Sequence, residues 1–395
     1  MGRYLLLDGH SLAYRAFYAL PADMATSSGQ VTNAVYGFTA MLAKVVSDLE
    51  PDGVAVAFDT STPTFRKELD ATYKAGRKET PDLFKQQLPL IREVLDALAV
   101  PVVEAPGFEA DDVIATLATR AAADGHEVVV VTGDRDSYQL VADPHIRVLY
   151  NKRGVSDYAL YDEAGILERT GVTPAQYPEY AALRGDASDN LPGVPGIGEK
   201  TAAKLVTTYG DLDGIFANLD QLPPKQRANL AEWETQVRHN HEMSVLRRDV
   251  ELGVGVGDLR FAAFEIEPAR QLFHQLEFRS LFPRVLAALR VEDSAGTDTG
   301  TLDVEVETIH DPASVDLGAM RGSEVAWEPV WSGTGRSRTV DALALATAAR
   351  TTVLLRSALA DEGVRTALVG LLAASPVVAH GAKELLHGQI GRAHV

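Results

Sequence analysis

Cysteine is absent from all 395 residues, which excludes disulfides, thiolate zinc sites, iron–sulfur clusters and cysteine nucleophiles and fits a cytosolic chain. Long apolar runs are missing as well. Met1 to Ser11 turns acidic at Asp8 after a short apolar stretch, so it is neither a secretory signal nor a membrane span, and no later run approaches membrane length. Basic residues are in deficit: 37 Lys and Arg stand against 55 Asp and Glu, a formal charge of −18. That balance argues against a protein that coats nucleic acid generally, so any DNA contact must be local. The remaining composition, 46% hydrophobic and 23% charged, argues against wholesale disorder. At roughly 150 residues per domain the length suggests two or three domains.

Tyr4–Leu7 reads as a short buried strand ending at Asp8-Gly9, followed by a helix from Ser11 to Tyr18. Val54–Phe58 before Asp59, and Glu127–Val131 before Asp134, repeat the pattern. Helical stretches Ala34–Leu49, Gln86–Leu98 and Ala110–Ala122 lie between them, which indicates a mostly parallel sheet covered on both faces. Ligands of open α/β sheets sit outside the carboxyl ends of the strands, so these aspartates are expected to share one crevice. A single such Asp is more simply a helix N-cap. From about Thr173 the texture changes to short helices joined by Gly/Pro turns, running to about Arg290. A third region, 291–395, opens with the linker-like SAGTDTGT.

In GFEADDVIAT, Glu109 begins a helix, with Asp112 on the same face and Asp111 beside them. Asp134 and Asp136 in TGDRDSYQL are one residue apart and point the same way from an extended segment or tight loop. Asp186 and Asp189 stand in LRGDASDNLPG. With Asp8 and Asp59 these make nine acids from five segments. So many carboxylates stay ionised together only around cations. Oxygen ligands with no Cys and no obvious His cluster favour Mg²⁺ or Mn²⁺ over zinc, and two such ions are the usual apparatus for in-line attack of water on a phosphodiester. A one-ion receiver- or phosphatase-type pocket is the alternative, and it needs fewer acids.

Two further features bear on substrate. FRKELDATYKAGRK, residues 65–78, carries Arg66, Lys67, Lys74, Arg77 and Lys78 against Glu68 and Asp70, a local balance of +3. Phe65 and Tyr73 are interleaved as suits stacking on splayed bases, although a charge run is more commonly a solvated helix face. LPGVPGIGEKTAAKLV then places a Gly/Pro turn, Gly193 to Gly198 with Gly196 between, ahead of a helix from Glu199. Its exposed N–H groups suit a phosphate, and Lys200 and Lys204, four apart, reach the same strand. This reads as a helix–hairpin–helix-type DNA clamp, against an ordinary helix–turn–helix connection.

Taken in order over roughly 1–290, LLLDGHSLAYRAFYAL, AVAFDT, YKAGRK, GFEADDVIAT, TGDRDSYQL and RGDASDNLPGVPGIGEKTA resemble the 5′ nuclease domains of bacterial DNA polymerase I. The resemblance implies an α/β, PIN-like 5′ nuclease fold. Its parts would be a core over 1–172 with a mostly parallel sheet and a helical arch, and a helix–hairpin–helix-type helical subdomain over 173–290. It also implies that all nine acids hold two or more Mg²⁺ or Mn²⁺ ions. Asp8, Asp59, Glu109 and Asp111 would lie nearer the attacking-water ion, and Asp134, Asp136, Asp186 and Asp189 nearer the second; Asp112 belongs to the same set. Tyr73 and Lys74 match the base of the arch that a single-stranded 5′ flap threads, with Lys74 stabilising charge on the scissile phosphate. Arg77 and Arg15 match phosphate-contacting positions, and Arg66 is grouped with the DNA-binding residues. The hairpin would grip duplex, with K⁺ at its backbone carbonyls.

The resemblance continues into 291–395 as a partial α/β, 3′–5′ exonuclease-like domain whose first strand is Ser323–Trp331. Proofreading needs an Asp-x-Glu pair there, and only Glu328 is found, so a degenerate, non-proofreading domain is expected. PVVAHGAKELLHGQI lacks the matching acid. The domain is expected to stop midway, leaving strands such as Thr352–Leu355 and Pro376–Ala379 without partners. The terminal IGRAHV matches what a common sequencing-library adapter encodes in one frame, so a longer parent is expected.

The function expected is a Mg²⁺-dependent 5′–3′ exonuclease and flap endonuclease of DNA replication and repair, acting as a monomer on branched or 5′-flap duplex in the bacterial cytosol. A non-catalytic DNA-binding module with relic acids, and a PIN-like ribonuclease without need of the hairpin, are the contrasting readings.

Overall fold

The strands are Arg3–Asp8 (β1), Gly53–Ala57 (β2), Val102–Val103 (β3), Glu127–Thr132 (β4) and Ile146–Arg153 (β5), with Asp157–Tyr161 (β6) at one edge, and continuous apolar runs form β1, β2 and β4. They form one sheet in the order β3-β2-β1-β4-β5-β6. All neighbours are parallel except β5 and β6. This computed structural model describes residues 2–77, 79–153, 157–291, 305–309, 311–332, 339–347 and 350–379. Its two compact units are Met1–Glu292 and Asp293–Val395.

Because side chains alternate across a strand, β1 sends Leu5 and Leu7 to one face and Tyr4 and Leu6 to the other. The first face is covered by Gly9–Ala19 (α1) and Asn33–Leu49 (α2). Two short helices, Phe65–Leu69 (α3) and Asp82–Lys85 (α4), then flank a run of turns through residues 71–77. Leu88–Ala97 (α5) returns to the first face, and Ala110–Ala123 (α6) covers the second. After Glu163–Thr170 (α7), the helices Tyr177–Arg184 (α8), Glu199–Tyr209 (α9), Leu212–Ala217 (α10) and Pro224–Ser244 (α11) extend the core on the α6 side. Ile266–Gln275 (α12) and Leu281–Ala288 (α13) cross back, and α13 buries Leu281, Phe282, Val285 and Leu286 with α2.

In the second unit Glu305–Ile309 (β7), Val325–Ser332 (β8), Thr339–Ala346 (β9), Arg350–Leu355 (β10) and Val377–Ala379 (β11) form a sheet in the order β11-β8-β9-β10-β7. This corrects the expectation of unpartnered strands. Thr352–Leu355 lies in β10, paired with β9 on one side and β7 on the other, and β11 pairs in parallel with β8. Trp327, Leu345 and Leu371 anchor its own core. Glu328 sits on the exposed side of β8, next to buried Trp327. The linker SAGTDTGT and the run from His380 to Val395 lie outside the described residues.

Candidate active site

The carboxyl ends of β1, β2 and β4 open into one cleft, lined by Asp8, Asp59, Lys74, Glu109, Asp111 and Asp134 among others. A second cleft, with Asp186, Arg184 and Gly193, adjoins it, and Gly133 and Asp134 line both. Local chemistry fixes each acid. Asp8 caps α1 by accepting from the Ser11 amide at 3.0 Å, and its other oxygen accepts from Thr132 Oγ1 at 2.9 Å. Asp59 accepts from the Ala110 amide at 2.7 Å, which ties the end of β2 to the start of α6. Asp134 Oδ1 receives the Asp136 amide at 2.9 Å.

Asp186 and Asp189 ride on a closed loop. The amides and carbonyls of Asp186 and Leu191 bond to each other at 2.8 Å both ways. Gly185 and Gly193 pack backbone to backbone beneath it: a Cβ on Gly193 would lie 1.9 Å from the Arg184 carbonyl oxygen, and Gly185 has φ +74°. Only glycine fits such an approach. The loop is also pinned to the basic segment, since the Lys74 amide donates to the Asp189 carbonyl at 3.0 Å and Asn190 Nδ2 donates to the Thr72 carbonyl at 3.0 Å.

Three basic-segment side chains reach the acids. Lys74 Nζ is 2.7 Å from Glu109, and Arg77 Nη2 is 2.6 Å from Asp189. Tyr73, buried with Leu191 and Met243, places its hydroxyl 2.9 Å from Asp189 Oδ2 and 3.2 Å from Glu109 Oε2, so it bridges the two acid groups. Burial, reinforced by Glu109 and Asp189, pushes its phenol up, so it stays a donor. Burial works against the Lys74 ammonium, but Glu109 and Asp189 outweigh it and hold its pKa above the usual value. Burial would raise Asp189, yet Lys74 and Arg77 hold it below the usual carboxylate range.

The other acids behave in the opposite way. Burial, then the nearby Asp59 and Asp134, pushes Asp8 up to about 7 against its hydrogen bonds from Ser11 and Thr132. Burial together with neighbouring carboxylates also raises Asp111, Asp134 and Asp136. Asp111 Oδ1 is buried without any hydrogen-bond partner. A buried carboxylate oxygen left unpaired among like charges fits a cation ligand, and an all-oxygen donor set fits a hard divalent ion. Among the described residues no three Asp, Glu or His side chains close on a single point; Asp8, Asp59, Glu109, Asp111 and Asp134 line the first cleft and Asp134 and Asp186 the second, while Asp136 and Asp189 stand outside both linings.

Two assignments change. Asp112 is 0% exposed and faces away from the cleft: it takes both Arg66 guanidinium nitrogens, at 2.6 and 2.9 Å, and the Arg247 amide at 2.9 Å. Its oxygens are committed, so it is no metal ligand here. Arg66, 1% exposed, is correspondingly no DNA contact; its remaining donors go to the carbonyls of Met243 at 2.7 Å and Val245 at 3.2 Å. Arg15 is placed over Gly133 at the cleft, while Lys200 and Lys204 are exposed on α9 beside the hairpin, as a phosphate-facing role requires. Gly196 has φ +80°, and Pro195 is held by Asn229 Nδ2 at 2.7 Å. Lys78 lies outside the described residues. Sequence reasoning missed Ser11, Thr132 and Asn190, hydroxyl and amide side chains close to the acids in sequence that orient them or their loop, and it missed Arg184.

Residues 3–171 match the family described as 5′–3′ exonuclease, N-terminal resolvase-like domain, and residues 172–267 match its C-terminal SAM fold. The chain belongs to the 5′–3′ exonuclease family. DNA polymerase I of Mycobacterium bovis is 48% identical over 301 residues, 75% of this chain and 33% of that protein. The thermostable DNA polymerase I of Thermus thermophilus is 44% identical over 280 residues, 71% of this chain and 32% of that one. The chain thus spans about a third of the length of these curated relatives. Among solved structures, the bacteriophage T5 D15 flap endonuclease, in a pseudo-enzyme–product complex with DNA and metal ions, shares the fold at a TM-score of 0.52 and 18% identity, over 73% of this chain and 99% of that one.

Proposed function

We propose that this chain is a divalent-cation-dependent 5′ nuclease that hydrolyses DNA phosphodiesters at 5′ flaps and 5′ ends. The observation that carries the reading is the meeting of a raised, partly unpaired acid group (Asp8, Asp111, Asp134, Asp136) with a Lys74 ammonium held at 2.7 Å by Glu109. Asp8, Asp59, Glu109 and Asp111 would hold one ion, and Asp134, Asp136, Asp186 and Asp189 another. Bound Mg²⁺ or Mn²⁺ supplies Lewis acidity and an activated water.

The chain's own residues do the rest. Lys74, its side chain 25% exposed, offers positive charge to the scissile phosphate, and partial burial makes such a charge count for more than it would in water. Tyr73 stays protonated and fixes Glu109 relative to Asp189, and Arg77 turns from Asp189 to an incoming phosphate. Arg15 flanks the cleft, and the hairpin from Gly193 to Gly198, with Lys200 and Lys204, grips the duplex, with K⁺ at its carbonyls. The second unit, with Glu328 exposed and no Asp-x-Glu on β8, plays no catalytic part. A monomer acting in the bacterial cytosol on replication and repair intermediates, as the nuclease part of a polymerase I-like parent, completes the proposal.

The test compares a 5′-flap duplex with single-stranded RNA of the same sequence, with Mg²⁺ and with EDTA. Cleavage of the flap alone, and only with Mg²⁺, is expected. Preferential RNA cleavage would transfer the chain to the ribonuclease reading, and binding without cleavage to the relic-acid reading.

A further inference from the structure

The cleft on the hairpin side has two cations in its lining among the described residues, Arg135 and Arg184, and both face one carboxylate. Arg135 Nη1 is 3.6 Å and Arg184 Nη1 3.7 Å from the same oxygen, Oε1 of Glu199. Both distances exceed hydrogen-bonding range, so neither guanidinium has its donors satisfied by Glu199. Arg184 is only 16% exposed; its Nε donates to the Gly185 carbonyl at 3.2 Å, and it lies 3.9 Å from Asp186 and 5.4 Å from the Tyr180 ring centre. Glu199 is 63% exposed and is the first residue of α9, free to swing away.

Two planar donor forks around one loosely held oxygen suit a tetrahedral oxyanion better than a lone carboxylate. Asp134 and Asp186 line the same cleft, so a DNA strand running from the acid cleft toward the hairpin would need countercharge for its phosphates there. We propose that Arg135 and Arg184 form a phosphodiester subsite on the hairpin side of the cut, with Glu199 as an internal placeholder that a backbone phosphate displaces. The proposal rests on the nuclease reading above and adds to it a defined phosphate position and a built-in competitor.

The measurement is the affinity for a 5′-flap duplex by fluorescence anisotropy in EDTA, over a salt series, with no cleavage taking place. Arg135→Gln and Arg184→Gln should each flatten the slope of log affinity against log salt, and together by about 0.9, the mark of one lost phosphate contact. Glu199→Gln should do the reverse and tighten binding about fivefold, the size of one unit-charge repulsion near 4 Å in water. That gain should vanish in an Arg184→Gln background, whereas a diffuse charge effect would persist there. If Arg184→Gln melts early, Arg135→Gln, at a half-exposed position, supplies the background instead. Unchanged slopes in the arginine variants, or a Glu199→Gln gain that survives them, overturn the subsite. Lys200→Ala keeps the two levels apart. If it flattens the slope while the arginine variants do not, the subsite alone falls; if wild type does not bind the flap duplex, the nuclease reading falls with it.

Discussion

Asp111 and Asp112 differ by one position and by everything else. Adjacent helical residues point about 100° apart, so Asp111 enters the cleft and Asp112 turns toward Arg66. The run of two aspartates is legible in the sequence, but which of them faces the cleft is not, because Arg66 arrives from a segment 46 residues away. Asp111→Asn or Asp134→Asn should lower flap cleavage by roughly 10²-fold or more while the free protein melts no earlier, because each removes a charge that burial already opposes. Single-turnover rates and melting curves read the two effects separately, and wild-type rates in both variants would remove the acids from the mechanism. Lys74→Ala should slow single-turnover cleavage strongly with little change in duplex affinity, whereas Lys200→Ala should mainly weaken binding; an affinity-only effect at Lys74 would contradict its role. The pH response of Asp8 has a definite sign. Its pKa rises from 3.8 to about 7 on folding, so between those values the folded state holds more protons and stability falls as pH rises. Asp8→Asn keeps a good helix cap and should gain stability over wild type between pH 4.5 and pH 7, as read by urea unfolding in EDTA.

At the scale of elements, the pair of Arg66 and Asp112 joins α3, α6, the last turn of α11 and the residue after it. Breaking one partner leaves the other charged and buried, so Arg66→Met or Asp112→Leu alone should cost about 3–5 kcal/mol. The double variant should recover much of that loss in chemical denaturation, since apolar replacement of a whole buried pair is often neutral. A double variant as unstable as the singles would show that the contacts to Met243 and Val245 matter more. The strands β1, β2 and β4 are legible because buried parallel strands are continuously apolar. β5 and β6 escape the reading: Arg147, Asn151, Lys152 and Arg153 interrupt β5, and β6 is a half-exposed edge. The hairpin glycines are legible as a turn, but the contact of Gly193 with Gly185 is not, since it depends on where the acid loop closes.

At the scale of the molecule, the nuclease family match ends at residue 267, yet the chain keeps packing on the sheet through α12 and α13, and the Val291 amide still bonds to Leu286 at 3.0 Å. A chain ending at Glu292 should therefore fold and cleave flaps at the full-length rate, whereas one ending at Arg279 should lose the apolar cover of α2 and melt early. Metal-dependent 3′–5′ degradation that vanishes with the second unit but survives Asp134→Asn would reveal a separate active centre there. The boundary near 290 is legible from the composition of SAGTDTGT. The second unit's sheet is harder to read, because β7 pairs with β10 across more than forty residues of chain and no local pattern encodes that partner.

The backbone contact between Gly185 and Gly193 also works as a ruler. Asp186 and the Gly193–Gly198 turn are separated by a closed loop whose ends are locked, so in the proposed nuclease the span from a phosphate held at the turn to one held at Asp186 would not stretch. Were DNA held at the hairpin, the cut would fall a set number of nucleotides from the duplex junction, whatever the length of the flap beyond it. The base sequence of the flap would then be irrelevant, and position would be read from geometry alone.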